Sequence, residues 1–343
     1  IPGPYRWQHI DSVCDCVMTN TTPAGPFRGF GGTQSSWASE SQIDMIARRL
    51  EIDPYEIRAR NFLKLGEPFV PGESGIDSDL HQGMEVVLDE IGYRTANRGG
   101  GRGIGISVGF KDSGGGNKPA PFDQGTSASS AIVVMGQAVE RAARDCLKQV
   151  TEFAAGRLGC APDELSIENW VVKHGDEAQP LPPMIMGYYG GTGFEFIGRG
   201  YFKPETSHDA PLEAPCVSWE IGWGAAEVEV DEETGRGTLK KLVVSGDAGR
   251  AIQADVCRGQ DEGAAMFGIG QALFERMVYD GPNLLNIEAL KYRIARTDDL
   301  PESFVSILQE QGHGPGPFGS KGMGEAGILP VASAIANAVD DAV

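Results

Sequence analysis

Apolar side chains in 36–50 fall at Ile43, Ile46, Ala47 and Leu50, three and four apart, a spacing that predicts a helix with one face on a core. Asp53 and Pro54 then supply an N-cap and a first helical residue for a second helix, with Glu56 in its first turn. Residues 84–92 read as a short helix. The longest helical pattern is 127–159, with Ala131, Val134, Met135, Ala138, Val139 and Ala142 on one stripe. Residues 254–276 predict another helix, and small apolar residues after Pro330 predict one over 328–339. Alternation predicts strands at 10–18, 103–110 and 166–173, and a hairpin of 228–230 with 238–245 across a turn containing Gly235 and Gly237. The stretch 66–83 and the Gly-, Tyr- and Phe-rich stretch 180–200 read as irregular. Strands and helices mix without a regular βαβ alternation, so the expected class is α+β.

With 343 residues, 41% of them hydrophobic, the chain is long enough for a buried core and about two domains. Its formal net charge of -19 excludes the basic face that nucleic acid or an anionic membrane would require. The sequence contains no apolar run of about 20 residues that would span a bilayer. A cytoplasmic location is therefore expected, with the periplasm open because a signal could lie upstream. Cys14, Cys16, Cys146, Cys160, Cys216 and Cys257 lack Cys-x-x-Cys spacing and read as reduced, mostly buried thiols, with Cys14 and Cys16 on one face of the first strand. The histidines form no His-x-x-x-His pair, so no metal is expected to be held directly by side chains.

Chemistry concentrates in glycine-rich loops. In Gly319-Ser320-Lys321-Gly322-Met323-Gly324-Glu325-Ala326-Gly327 the glycines leave the backbone free to approach a ligand, and Glu325 is the one carboxylate suited to accept a proton. A glutamate at a loop–helix junction also serves simply to complement the helix dipole. Phe27-Arg28-Gly29-Phe30-Gly31 combines a guanidinium fork, close-approaching backbone and rings able to stack on a flat ligand; core packing and carbonyl capping would account for the same residues. Ser127, Ala128 and Ser129 place N–H groups and hydroxyls at the expected start of the long helix, where an anionic group or ordinary N-capping fits equally. The Gly-rich stretches 99–105 and 114–116 lack the strand and helix of a dinucleotide loop and read as turns.

These two loops, in this order, resemble the molybdopterin-binding large subunit of the xanthine dehydrogenase and aldehyde oxidase family. The resemblance extends through Asp53 to Phe62, Thr126 to Ser129 and Gly259 to Gly263, nearly the whole chain. It implies an α+β fold like that of the molybdenum-cofactor-binding domains, with a first part over 1–110 and a second over 111–343. It also implies water-derived hydroxylation of an N-heterocycle or aldehyde, with Glu325 as base and Phe30 clamping the substrate. Phe27, Arg28, Gly29, Ser127, Ala128, Ser129, Lys321, Gly322, Met323 and Gly324 would surround a molybdenum-molybdopterin cofactor, a cytosine dinucleotide form being one option. Electrons would leave through partner subunits carrying [2Fe-2S] and FAD.

The sequence departs from the pattern in several places. The Met-Gly-Gln-Gly loop that the family carries before the Thr126 segment has no counterpart, because Pro121-Phe122-Asp123-Gln124 joins the flanking segments directly. The upstream glutamine loop is also absent, which implies a fragment or an internally shortened homologue. Phe267 stands where many relatives have a pterin-contacting glutamine, and Gly29 stands where the CO-oxidising branch has cysteine. Two rival expectations therefore accompany the enzyme: a homologue without cofactor, and a binding module with an aromatic surface at Tyr188, Tyr189, Phe194 and Phe196.

Overall fold

The computed structural model describes residues 3–113, 126–190, 195–204, 216–288, 290–312 and 314–343. In chain order the elements are helices α1 (Gly32–Leu50), α2 (Pro54–Asn61) and α3 (Leu80–Ile91), strand β1 (Arg102–Ser113) and helix α4 (Ala131–Leu158). Short strands β2 (Leu165–Glu168), β3 (Val171–His174) and β4 (Glu177–Pro180) lead to helix α5 (Leu181–Tyr189). Long strands β5 (Ser218–Val230) and β6 (Gly237–Asp247) precede helix α6 (Ala254–Leu273), the two-residue strands β7 (Tyr279–Asp280) and β8 (Asn283–Leu284), strand β9 (Ser303–Gln309) and helix α7 (Val331–Ala342). The mixture is the α+β class expected from the sequence.

The chain forms two compact units, Ile1–Val133 with Glu205–Val343, and Val134–Pro204. In the first, the sheet order is β1-β5-β6-β9. The first three strands are antiparallel and β9 joins β6 in parallel. Strand alternation sends Ile106, Val108, Phe110, Trp219, Ile221 and Trp223 into a core with Leu80, Met84, Val87 and Leu88 of α3. On α7, Val331, Ala334, Ile335 and Ala338 pack with Leu242, Val244, Ala265 and Ile269 in a second core. Two strand glycines set the distance of the C-terminal segment from the sheet. A Cβ on Gly105 would lie 2.2 Å from the Ala334 carbonyl oxygen, and one on Gly222 would lie 2.1 Å from that of Ala326. Any side chain there would push α7 and the turn before it off the sheet.

A buried ionic cluster fastens α1 to this sheet. Glu40, fully buried, accepts from Tyr5 Oη, from Arg58 Nε at 2.9 Å and from the Val108 N–H at 3.0 Å. Asp53 caps α2 as expected, accepting from the N–H groups of Tyr55 and Glu56. The second unit stacks the antiparallel order β2-β3-β4 with α5, and Ala154, Val172 and Leu181 form its buried centre.

Several sequence expectations change. Residues 10–18 form no strand: Val13 is 86% and Val17 74% exposed, and Cys14 and Cys16 are exposed rather than core. Alternation makes a strand only where an edge is available to pair with, and none pairs with this segment among the described residues. The strand expected over 166–173 is two, β2 and β3, turned at Asn169 and Trp170, which both adopt positive φ. The loop expected over 180–200 contains α5, whose early prolines occupy first-turn positions where a missing N–H costs no hydrogen bond. Helix α3 begins at Leu80, four residues early, capped by Asp79. The stripe on α4 is only half covered, with Met135 and Val139 exposed. The junction at 121–124 and residue Phe194 lie outside the described residues.

Candidate active site

Glu325 stands where the glycine loop meets a 3-10 turn, Ala326–Ile328, that leads into α7. Its side chain makes no cap bond to that turn. It reaches instead toward the arginine loop, accepting from the Gly29 N–H at 2.8 Å through Oε1 and from Lys111 Nζ at 2.8 Å through Oε2. The Ser129 hydroxyl lies 3.4 Å from Oε2. The Glu325 side chain is 14% exposed, so it is not sealed from solvent. Residues nearly 300 positions apart in sequence therefore share one hydrogen-bonded group.

Behind Glu325 lies Glu220 of β5, fully buried. Its Oε1 accepts from the backbone N–H of Glu325, from that of Ala326 at 3.0 Å and from Ser129 Oγ at 3.0 Å. Lys111 of β1 is the direct register partner of Glu220 across the β1–β5 ladder, with Nζ 3.9 Å from Glu220 Oε2. Burial by itself would lower the Lys111 ammonium; the charge of Glu220 and the bond to Glu325 outweigh it and hold it above its usual range. Burial pushes the Glu220 carboxyl upward. Neither residue was singled out from sequence. For Glu220 a signal was nonetheless present, since it is the one charge in the run Ser218–Ala226, and such a charge is retained only with a partner.

Arg28 uses its fork on protein. Nε donates to the Gly324 carbonyl at 2.6 Å, and Nη2 donates to the same carbonyl and to the backbone and side-chain oxygens of Gln260 at 3.0 Å each. It thereby ties the arginine loop, α6 and the glycine loop together. Gly29, Gly31 and Gly319 have positive φ. Gly322 and Gly324 face Ser129: a Cβ on Gly322 would lie 2.4 Å from the Ser129 carbonyl oxygen, and one on Gly324 would lie 3.1 Å from its Oγ. Ser127, Ala128 and Ser129 precede α4, which starts at Ala131, and Ala128 and Ser129 hold positive φ. They form a turn rather than a helix start. That strained geometry, of order 1–3 kcal/mol per residue, is what turns the Ser129 hydroxyl to the two carboxylates.

Two expected residues point elsewhere. Lys321 is buried among Asp77 Oδ1 at 2.7 Å, Ser78 Oγ at 2.8 Å and Asp247 Oδ2 at 3.1 Å, so its side chain anchors the loop instead of facing the site. Met323 packs with Ala248 and Ala326 in a small core. Phe27 meets Phe267 edge to face, centroids 5.3 Å apart, while Phe30 is 68% exposed. In the second unit Tyr188, Tyr189 and Phe196 gather around Phe153.

Asp261 of α6 is fully buried, and its carboxyl is pushed up to about 8, first by burial and then by the charge of Glu220. A carboxyl raised in the folded state binds a proton that the unfolded chain releases above about 4, so the folded state loses stability as pH rises from about 4 to about 8. Asp261→Asn is expected to flatten this part of the pH–stability curve, measured by urea unfolding at several pH values. Parallel curves for the two proteins would show that Asp261 is ionised across the window.

The family model described as a molybdopterin cofactor-binding domain matches residues 115–301, and a second of the same description matches 1–62. The chain is 24% identical to 6-hydroxypseudooxynicotine dehydrogenase complex subunit gamma of Paenarthrobacter nicotinovorans, covering 99% of this chain and 52% of that protein. It is 26% identical to the xanthine dehydrogenase molybdenum-binding subunit of Escherichia coli, covering 94% and 51%. The fold matches quinoline 2-oxidoreductase from Pseudomonas putida 86 with a TM-score of 0.76 at 22% identity, over 93% of this chain and 50% of that one. The chain thus spans about half the length of these proteins. The first alignment runs over 421 residues, longer than the 343 of this chain, so that relative carries positions this chain lacks. Matching over more than half of its length, and with the same mixed fold, the chain belongs to the molybdopterin cofactor-binding family of molybdenum-hydroxylase large subunits.

Proposed function

We propose that this chain forms the base-bearing wall of a molybdenum hydroxylase acting on an N-heterocycle, with an aldehyde as the alternative substrate class. The observation that carries this reading is the setting of Glu325. A carboxylate offers about four acceptor sites, and here Gly29 and Lys111 occupy two, since the one Ser129 hydroxyl proton goes to Glu220, leaving capacity for a proton on a side chain that is still partly exposed. Glu220 fixes the backbone of that residue, and Arg28 fixes the carbonyl before it. A general base held this way needs little reorganisation when the proton arrives.

The residues present fit one flank of a flat, anionic cofactor. Nothing lies within 4 Å of a Cβ built on Gly31, so the arginine loop keeps open backbone beside the exposed Phe30 ring. Phe27, Gly29, Gly31, Ser127 and Gly324 would line the cofactor, and Phe30 would stack on an aromatic substrate. Molybdenum-molybdopterin, when bound, supplies the redox and oxygen-transfer chemistry. This chain's residues orient the substrate ring and take the proton at Glu325. The N-heterocycle is favoured by relatives named nicotine 6-hydroxylase large subunit and quinoline 2-oxidoreductase. Iron-sulfur and FAD subunits are proposed as partners, since two relatives are named as a complex subunit gamma and a large subunit. No helix among the described residues is long and apolar enough to cross a membrane.

A second reading, a homologue that keeps the fold without cofactor, is favoured by the positions lacking relative to the gamma subunit. Molybdenum content separates the two. The chain co-expressed with its neighbouring subunits and the cofactor-assembly proteins is expected to carry molybdenum near one atom per chain, and the chain expressed alone to carry little. Metal-free protein from the complete co-expression would establish the cofactor-free reading. Stoichiometric metal in the chain alone would show that no further cofactor loop is needed.

A further inference from the structure

Cys160, Glu164 and His174, in the second unit, each bring one donor atom to a common point, a thiol sulfur, a carboxylate oxygen and an imidazole nitrogen, all within 4.8 Å of one another. It is the one group of three or more such side chains this close together among the described residues. We propose that these three side chains form a binding site for a borderline divalent cation, Zn²⁺ being the best match, independent of the molybdenum site.

The backbone explains how they meet. Gly159, with φ 70, ends α4 in a left-handed turn, and the Cys160 N–H bonds back to the Ala155 carbonyl at 3.2 Å, folding Cys160 over the helix end. Glu164 closes the next turn by accepting from the Ala161 N–H at 2.8 Å, which holds its side chain on the Cys160 side. Leu165, the residue after it, is the register partner of His174 across β2 and β3, so the imidazole arrives at the same end of the ladder. Val172, Ala154 and Leu181 pack beneath, with Leu158 and Leu165 against them, so both sides of the cluster rest on one core.

The donor set is chemically coherent. Thiolate and imidazole together are typical of Zn²⁺, and one thiolate plus one carboxylate balance the charge of a divalent ion. Bond lengths of about 2.0–2.3 Å put tetrahedral donors roughly 3.3–3.8 Å apart, so the cluster needs only side-chain rotations to close. Three protein donors leave the fourth position to water or another ligand. The need for such a clip is visible in the unit itself. Among the described residues its buried apolar cluster is Ala154, Val172 and Leu181, and units with so small a core commonly add a covalent or metal staple. Spacing rules miss the site because the ligands are of three types, separated by three and nine residues.

The test uses the untagged, chelator-treated chain carrying Cys14→Ser and Cys16→Ser, which removes the two exposed thiols. Titration with Co²⁺ is expected to produce a near-ultraviolet sulfur-to-cobalt charge-transfer band that saturates at one ion per chain and is displaced by Zn²⁺. Cys160→Ser should abolish the band, and His174→Gln should weaken Zn²⁺ binding by more than the roughly 10–100-fold that follows loss of a supporting group. Zn²⁺ should also slow proteolysis within 159–176 in the parent and not in either variant. A band that survives Cys160→Ser, or unchanged Zn²⁺ affinity in a folded His174→Gln chain, would overturn the proposal.

Discussion

Glu325→Gln in the assembled, molybdenum-loaded enzyme is expected to lower kcat by roughly 10²–10⁴-fold, the range for removing a positioned general base. The substitution keeps the shape of the side chain, and the amide oxygen can still accept from the Gly29 N–H. Lys111 loses its shorter ionic contact but keeps Glu220 as a partner, so the ammonium is not stranded in the interior. Molybdenum content and the unfolding transition should therefore change little while turnover collapses. Steady-state kinetics with the preferred heterocycle, beside metal analysis of the same sample, decides the matter. Near-normal kcat in a fully loaded variant would reduce Glu325 to a part-buried bridge between Lys111 and the arginine loop.

The second large effect is on stability. Lys321→Met removes the ammonium that sits between Asp77 and Asp247 while its aliphatic stem is replaced at similar volume. Breaking a buried pair by deleting one partner costs about 3–5 kcal/mol, because the remaining charge has lost its compensation. Burial already raises the Asp77 carboxyl despite the lysine beside it, a sign of how little water reaches the cluster. Urea unfolding should show the loss, and adding Asp247→Asn to Lys321→Met should recover part of it. A loss below about 1 kcal/mol, the scale of a surface pair, would mean that solvent screens the cluster. Because Lys321 lies four residues before Glu325, the same anchor also sets where the candidate base can stand.

Local patterns in the chain were enough for much of the first unit. Helices α1, α2 and α6, the β5–β6 hairpin and the Pro330 start of α7 are written in apolar spacing and capping residues, which act over a few positions. The α+β class was also legible, and the resemblance of two motifs put the arginine loop and the glycine loop around one cofactor, whereas their direct hydrogen bonds appear only in the structure. The direction of individual side chains was not. Lys321 and Glu325 sit in one glycine loop with similar local surroundings in sequence, yet one turns toward Asp77 and Asp247 and the other toward Gly29 and Lys111.

What separates them is where partner charges arrive from distant segments. Lys111 and Glu220 become neighbours only when β1 pairs with β5 in one register, and a shift of one residue would put them on opposite faces of the sheet. The failure at 10–18 has the same origin. Alternation states which face a strand would bury, and pairing, a property of the folded whole, decides whether a strand exists. Residue type and spacing thus settle local conformation because its energetics are short-ranged. The assembly of Arg28, Lys111, Ser129, Glu220 and Glu325 depends on ion pairs and ladder contacts between segments 90 to 300 residues apart, and those exist only in three dimensions.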